Sequence, residues 1–135
     1  MMMPAPRFRR ALFTAFALPA VQGLAEPREL TLVKDGAPAA AIVIAADATR
    51  AAQMAAFELQ QHVRLITRAL LPVVTDAATV PGVRILVGES AATRQAGLAN
   101  RDFAHQEYLI RFLPDTLVLI GRDRDDRGRV DYDYL

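Results

Sequence analysis

Between Arg50 and Leu70 the apolar residues Ala52, Ala56, Leu59, Val63, Ile66 and Leu70 recur at intervals of three and four, with Gln53, Gln60, Gln61, Arg64 and Arg68 falling elsewhere. That spacing lays one apolar stripe along a helix and predicts an amphipathic α-helix of about five turns with a single buried side. A helix of this kind needs an apolar surface to lie on, so the rest of the chain must supply one. Thr49 stands at the N-cap, where its hydroxyl can accept from a first-turn backbone N–H. Ala52 occupies the place where Glu would complete a capping box, which leaves the cap one-sided. Pro72 is expected to stop the helix.

The surface comes from short β-rich runs. Residues 29–33 (Glu-Leu-Thr-Leu-Val) read as a strand with Leu30 and Leu32 on one side, Lys34-Asp35-Gly36 supplies a turn, and residues 40–45 read as the return strand of a hairpin. After the helix, Val73–Thr75 is a short strand, 77–82 a loop, and Val83–Val87 a strand ending at Gly88. Residues 91–98 have room for a two-turn helix with Ser90 as N-cap and Gly97 closing it. Residues 107–112 and 116–120 form a second hairpin across Leu113-Pro114-Asp115, and 121–128 reads as a charged, mobile loop. Val130, Tyr134 and Leu135 share one side at helical spacing and suggest a third helix over 129–135. The order β-β-α-β-β-α-β-β-α implies an α/β (α+β) sandwich: a mixed sheet of about six strands with one long and two short helices packed on one face. The long helix allows a parallel crossover between residues 40–45 and 73–75.

Ahead of this domain, Arg7, Arg9 and Arg10 precede an apolar run over 11–21, and Gly23-Leu24-Ala25 follows as a small-x-small site. This is the three-part layout of a secretory signal peptide over 1–25, cleaved after about Ala25, and it points to a secreted or periplasmic product. The run is too short for a spanning helix, which needs about 20 apolar residues. The arginine pair lacks the context of a twin-arginine signal, and no Cys is available for a lipid anchor. Three of the 16 basic residues leave with this segment and no acid does, so the 110 residues of 26–135 carry 13 basic and 15 acidic groups, a net charge of −2. Such a domain offers nothing in favour of nucleic acid, and no membrane is implied for the mature form.

The absence of Cys excludes disulfides, Cys-ligated zinc, iron–sulfur clusters and a thiol nucleophile. His62 and His105 are the two histidines, and neither is followed at i+3 or i+4 by a second His or a carboxylate. Ser90, the sole serine, lacks the Gly-x-Ser-x-Gly elbow and reads as a helix cap. Asp123, Asp125 and Gly128 fall at the first, third and sixth places of a calcium-type loop, but Arg127 sits at the fifth and Tyr134 at the twelfth, where oxygen ligands are required. Gly82, Gly88, Gly97 and Gly121 are too widely spaced for a phosphate loop. Glu89, Glu107, Asp123 and Asp126 lie near strand ends and could in principle pair as glycosidase carboxyls. Most of Phe57, Phe103, Tyr108, Phe112, Tyr132 and Tyr134 stand at positions that read as core. No catalytic, cofactor-binding or metal-ligating residue is assigned from these patterns.

Six segments occur in a telling order: Leu-Val-Lys-Asp-Gly (32–36), Ala-Asp-Ala-Thr (46–49), Ala-Ala-Phe-Glu-Leu-Gln-Gln-His-Val (55–63), Leu-Pro-Val-Val-Thr (71–75), Arg-Ile-Leu-Val-Gly-Glu-Ser (84–90) and Leu-Val-Leu-Ile-Gly-Arg-Asp (117–123). Together they resemble the N-terminal domain of bacterial α-glucuronidase-like glycoside hydrolases, a small α/β domain that also precedes the barrel of β-N-acetylhexosaminidases. The resemblance implies that 126–135 is the last helix of an accessory domain leading into a catalytic (β/α)8 barrel. Arg129 and Asp131 depart from the small or aromatic residues usual after Gly128. The barrel would carry the acid and base carboxyls, and no position here matches one. The expectation is therefore a non-catalytic accessory domain of a secreted polysaccharide-degrading enzyme, acting on xylan-type chains or hexosaminides, as a fragment partnered by a downstream barrel and by carbohydrate. The alternative is a stand-alone exported module that binds a glycan or a protein through the loop 123–127.

Overall fold

Asp35 and Gly36 both take left-handed backbone angles (φ 51° and 75°) and close a two-residue turn between β1 (Val33–Lys34) and β2 (Ala37–Pro38). The computed structural model describes residues 29–133, so the export segment over 1–25 and the residues Tyr134 and Leu135 lie outside the described residues. The first hairpin is thus a small two-stranded sheet of its own, and β3 (Ala40–Ile44) is not its return strand. The hairpin's last cross-strand bond is from Ala39 N–H to Leu32 O at 2.9 Å, and the apolar run Ala-Ala-Ile-Val-Ile that follows enters a parallel sheet, where both of its sides can be buried. The strand expected over 29–33 does not form: residues 29–32 are irregular and β1 begins at Val33, although Leu30 and Leu32 still pack against the core.

Helix α1 (Arg50–Thr67) follows, then β4 (Val73–Thr75), β5 (Val83–Val87), α2 (Ala91–Gln95), a 3-10 turn (Asn100–Asp102), β6 (Tyr108–Leu113) and β7 (Thr116–Gly121). The main sheet has the order β4-β3-β5-β7-β6, with the first four strands parallel and β6 antiparallel at the edge. The fold is mixed α/β with one five-stranded mixed sheet, one two-stranded sheet and two α-helices among the described residues. The crossover through α1 joins parallel strands β3 and β4, as expected.

Register decides what each face carries. Ile42 pairs with Ile85 and Ile85 with Leu117, so these side chains share a face, together with Ala40, Val83 and Val87, and α1 covers them with Ala56, Leu59 and Val63. Val43, Leu86, Val118 and Ile120 face the other way, under Ala92, Leu98 and Phe103 of the segment containing α2 and the 3-10 turn. The two helices therefore sit on opposite faces rather than on one. The reason is the parallel sheet itself, whose strands are apolar on both sides and must be covered twice.

Thr49 caps α1 as predicted, its Oγ1 accepting from Ala52 N–H at 3.1 Å. The helix ends earlier than Pro72 requires. Arg68 takes the left-handed conformation (φ 67°) and donates its N–H to Arg64 O, which turns the chain so that Leu71 enters the core. Gln60 lies inside, donating from Nε2 to Leu71 O at 2.6 Å, whereas Ile66, placed by its spacing on the apolar stripe, is 81% exposed in the last turn. Residues 129–133 are not helical: Val130 is buried and Tyr132 stacks on Phe57 of α1, with centroids 5.1 Å apart. Arg129 and Asp131 pair with each other in solvent, consistent with an extended segment that buries only alternate residues.

Gly88 has φ 73°, and a Cβ there would stand 2.6 Å from the Ala52 Cβ; Gly36 has φ 75° with open space around it. Gly36→Ala is expected to lose about 1 kcal/mol of unfolding free energy for the backbone angle alone, and Gly88→Ala clearly more because α1 must also shift. Urea unfolding of the two variants checks the order, and equal losses would contradict the close approach of β5 to α1.

Candidate functional site

Because β3, β5 and β7 run parallel, the loops that follow them emerge at the same end of the sheet. β3 and β5 feed connections that diverge to opposite faces, and in open α/β sheets this end is where crevices for ligands form. Here the segment after β7 crosses to the start of α1. Thr49 Oγ1 donates to Asp123 Oδ2 at 2.8 Å, Arg50 N–H to Asp126 O at 2.7 Å, and Gln53 bonds both the Gly128 carbonyl and the Val130 N–H. Arg127 reaches Asp47 at 2.8 Å and Asp125 at 2.6 Å, and Asp125 raises the guanidinium's pKa further. The loop expected to be mobile is therefore a strap tied across the helix N-terminus. Its carbonyl and carboxylate satisfy the positive helix end that an external anion would otherwise neutralise.

Beside the strap lies a crevice of about 660 Å³ between the loop after β5, the 3-10 turn and residues 122–127. Its acids are engaged. Glu89 accepts Asn100 N–H at 2.7 Å and the Arg94 guanidinium at 3.0 Å. Asp123 holds Thr49, and Asp125 holds Arg127. The Arg101 and Arg124 guanidinium groups have no hydrogen-bond or ion-pair partner among the described residues, and Arg122 uses one nitrogen to reach Arg101 O at 3.1 Å. Asn100 Oδ1 is buried without a partner at the same place. The crevice is thus lined by four arginines against three acids, with Arg101 acting on Glu89 through space and His105 on the rim.

The Asn100 N–H, aided by Arg94 and Arg101, holds the Glu89 carboxyl below the usual carboxylate range against the opposing effect of burial. A glycosidase acid needs the reverse, a carboxyl kept protonated near neutrality. Of the four carboxyls weighed from the sequence, only Glu89 and Asp123 line this crevice. Glu107 accepts the Ala104 N–H at 2.6 Å, and Asp126 accepts the Gly128 N–H while pairing with Arg50. Ser90 is fully buried as the cap of α2, in a reciprocal box with Thr93. His62 lies on the outer side of α1, 3.6 Å from Glu58, a carboxylate four residues before it rather than after it. Arg127, at the fifth place of the calcium-like run, forms the ion pair with Asp125 there. Among the described residues no group of three or more His, Asp or Glu is placed to hold a metal ion, and no helix is long and apolar enough to cross a membrane.

Sequence spacing carries no warning of Asn100 and Arg101, which reach the site through a 3-10 turn absent from the expected elements. The one available signal is the density of arginine at 122, 124, 127 and 129. Tyr108 and Phe112 also depart from expectation, standing 73% and 53% exposed rather than in the core. Both lie on edge strand β6 and face the side that α1 covers over the other strands, where β6 itself has no helix above it. Compared with protein-family models, curated proteins and solved structures, the chain matches none of them.

Thr49→Ala removes both the cap and the tie to Asp123 and is expected to lower stability by about 1–2 kcal/mol. Asp123→Asn should weaken the same tie, and the two effects should not add in a double-mutant cycle. Glu89 is depressed in the folded state, so its contribution is present above its unfolded pKa and fades as pH falls through the folded value. The stability gap between the wild-type protein and Glu89→Gln should therefore shrink as pH is lowered from about 7 toward about 3, read by urea unfolding at each pH. A gap that stays constant with pH would refute this role for Glu89.

Proposed function

We propose that residues 26–135 form a non-catalytic accessory domain of an exported glycoside hydrolase that acts on polysaccharide, with residues 1–25 as its export signal and a catalytic (β/α)8 barrel as its partner. The observation that carries this reading is where the family-like segments fall. Residues 46–49, 84–90 and 117–123 meet at one end of the sheet, and there their polar groups close structural contacts: Thr49 with Asp123, Ser90 with Thr93, Glu89 with Asn100. Residues used in this way build a scaffold rather than move protons. Glu89 in particular is held as a carboxylate.

The full chain, expressed with its own N-terminal segment and purified, should not turn over aryl glucuronides or aryl hexosaminides. Turnover that disappears in Glu89→Gln or Asp123→Asn would overturn the accessory reading.

A second reading, a stand-alone exported binding module, is favoured by the guanidinium groups of Arg101 and Arg124 in the crevice beside 123–127, which make no hydrogen bond or ion pair among the described residues. It calls for a ligand with negative charge or dense acceptor groups, such as an acidic oligosaccharide. Calorimetry with acidic and neutral xylan fragments and with chitin fragments separates the two. Heat of binding confined to the acidic fragments and lost in Arg101→Glu/Arg124→Glu supports the module, whereas no heat with any fragment leaves the accessory reading in place.

A further inference from the structure

β6 closes the sheet with nothing hydrogen-bonded beyond it among the described residues. Edges of this length are normally blunted by Lys, Pro or a bulge. This one is six residues, Tyr-Leu-Ile-Arg-Phe-Leu, with Arg111 as its single charge. The bond from Arg122 N–H to Glu107 O sets the phase of the β6–β7 ladder. Antiparallel pairs alternate, so Leu109, Arg111 and Leu113 direct their backbone groups to β7, while Tyr108, Ile110 and Phe112 direct theirs to the open edge. The same three residues are 73%, 55% and 53% exposed and share one face.

We propose that β6 pairs antiparallel with β6 of a second copy of this chain, about a twofold axis through Ile110, joining two five-stranded sheets into one. In that register Ile110 meets Ile110, and Tyr108 of each copy meets Phe112 of the other. Every outward backbone group of the three residues then falls in a hydrogen-bonded pair, and the cross-strand contacts are aromatic or β-branched. Leu109 faces Arg111 on the opposite side, with Glu107 of the other copy one diagonal step from Arg111.

The neighbouring registers are worse. A shift by two residues in one direction sets Arg111 directly against Arg111 and brings Pro114, which has no N–H, opposite Tyr108. The opposite shift needs Gln106 in the ladder, and Gln106 has φ 66°, which does not extend a strand. The pairing is isologous, so it closes as a dimer and does not propagate. A groove of about 390 Å³ between Ala51 and Ala55 of α1 and Tyr108 and Ile110 runs along the same edge and gives the side chains room to adjust.

Light scattering on the purified full chain should give twice its 14.8 kDa, falling to the monomer on dilution. Ile110→Pro deletes an outward donor without touching the bonds to β7 and should weaken the dimer at least tenfold, with circular dichroism unchanged. Because the chain has no Cys, Ile110→Cys introduces a single thiol. Directly opposed residues in such a pair lie within reach of a disulfide, so mild oxidation should link two copies, whereas Leu109→Cys should not. A monomer at the highest soluble concentration, an open-ended aggregate, or oxidative linkage of the Leu109→Cys variant but not of Ile110→Cys would each overturn the proposal. Should Ile110→Pro fail to fold, the two cysteine variants still decide it.

Discussion

A sheet whose central strands run parallel is apolar on both sides, and every other feature of this domain answers to the need to cover it twice. Ile42, Ile85 and Leu117 need α1 above them, and Val43, Leu86 and Val118 need the segment around α2, Leu98 and Phe103 below. The parallel direction also decides where chemistry can sit. The segments after all four parallel strands leave the same end, and their polar groups have to be satisfied there, which gives the strap and the crevice beside it.

The sequence is informative wherever a local rule has a single structural outcome. The Thr49 and Ser90 caps, the Pro114 hairpin and strand β5 all follow from the side chain and its immediate neighbours. It is silent or misleading where the outcome depends on residues far along the chain. Ile66 belongs to the right helical stripe but stands in the last turn, 81% exposed, and Gln60 is inside because the Leu71 carbonyl, eleven residues later, needs a donor. The run at 40–44 carries the same β signal whether it returns in a hairpin or enters a parallel sheet. Tyr108 and Phe112 read as core by composition, since an edge strand with one uncovered face has the same alternation as a covered one.

The candidate site is legible only as a density of charge. The carboxyls near strand ends are where the sequence locates them, but their partners are not readable there: Asn100 N–H for Glu89, Thr49 for Asp123, Ala104 N–H for Glu107. Those partners turn candidate catalytic acids into structural acceptors, and no periodicity could reveal them. Arg101 and Arg122 meet across 21 positions because a 3-10 turn and the end of β7 share one rim of the sheet.

The strap has a consequence for how the chain reaches this state in time. The cap and first turn of α1 are held by groups 74 to 77 residues further on, from Asp123 to Val130. A helix whose start is completed by the tail of its own domain cannot finish assembling while that tail is still being synthesised. Such long-range closure slows folding relative to local contacts. Until the strap arrives, the first turn of α1 lacks its long-range partners although every strand of the sheet has already been made.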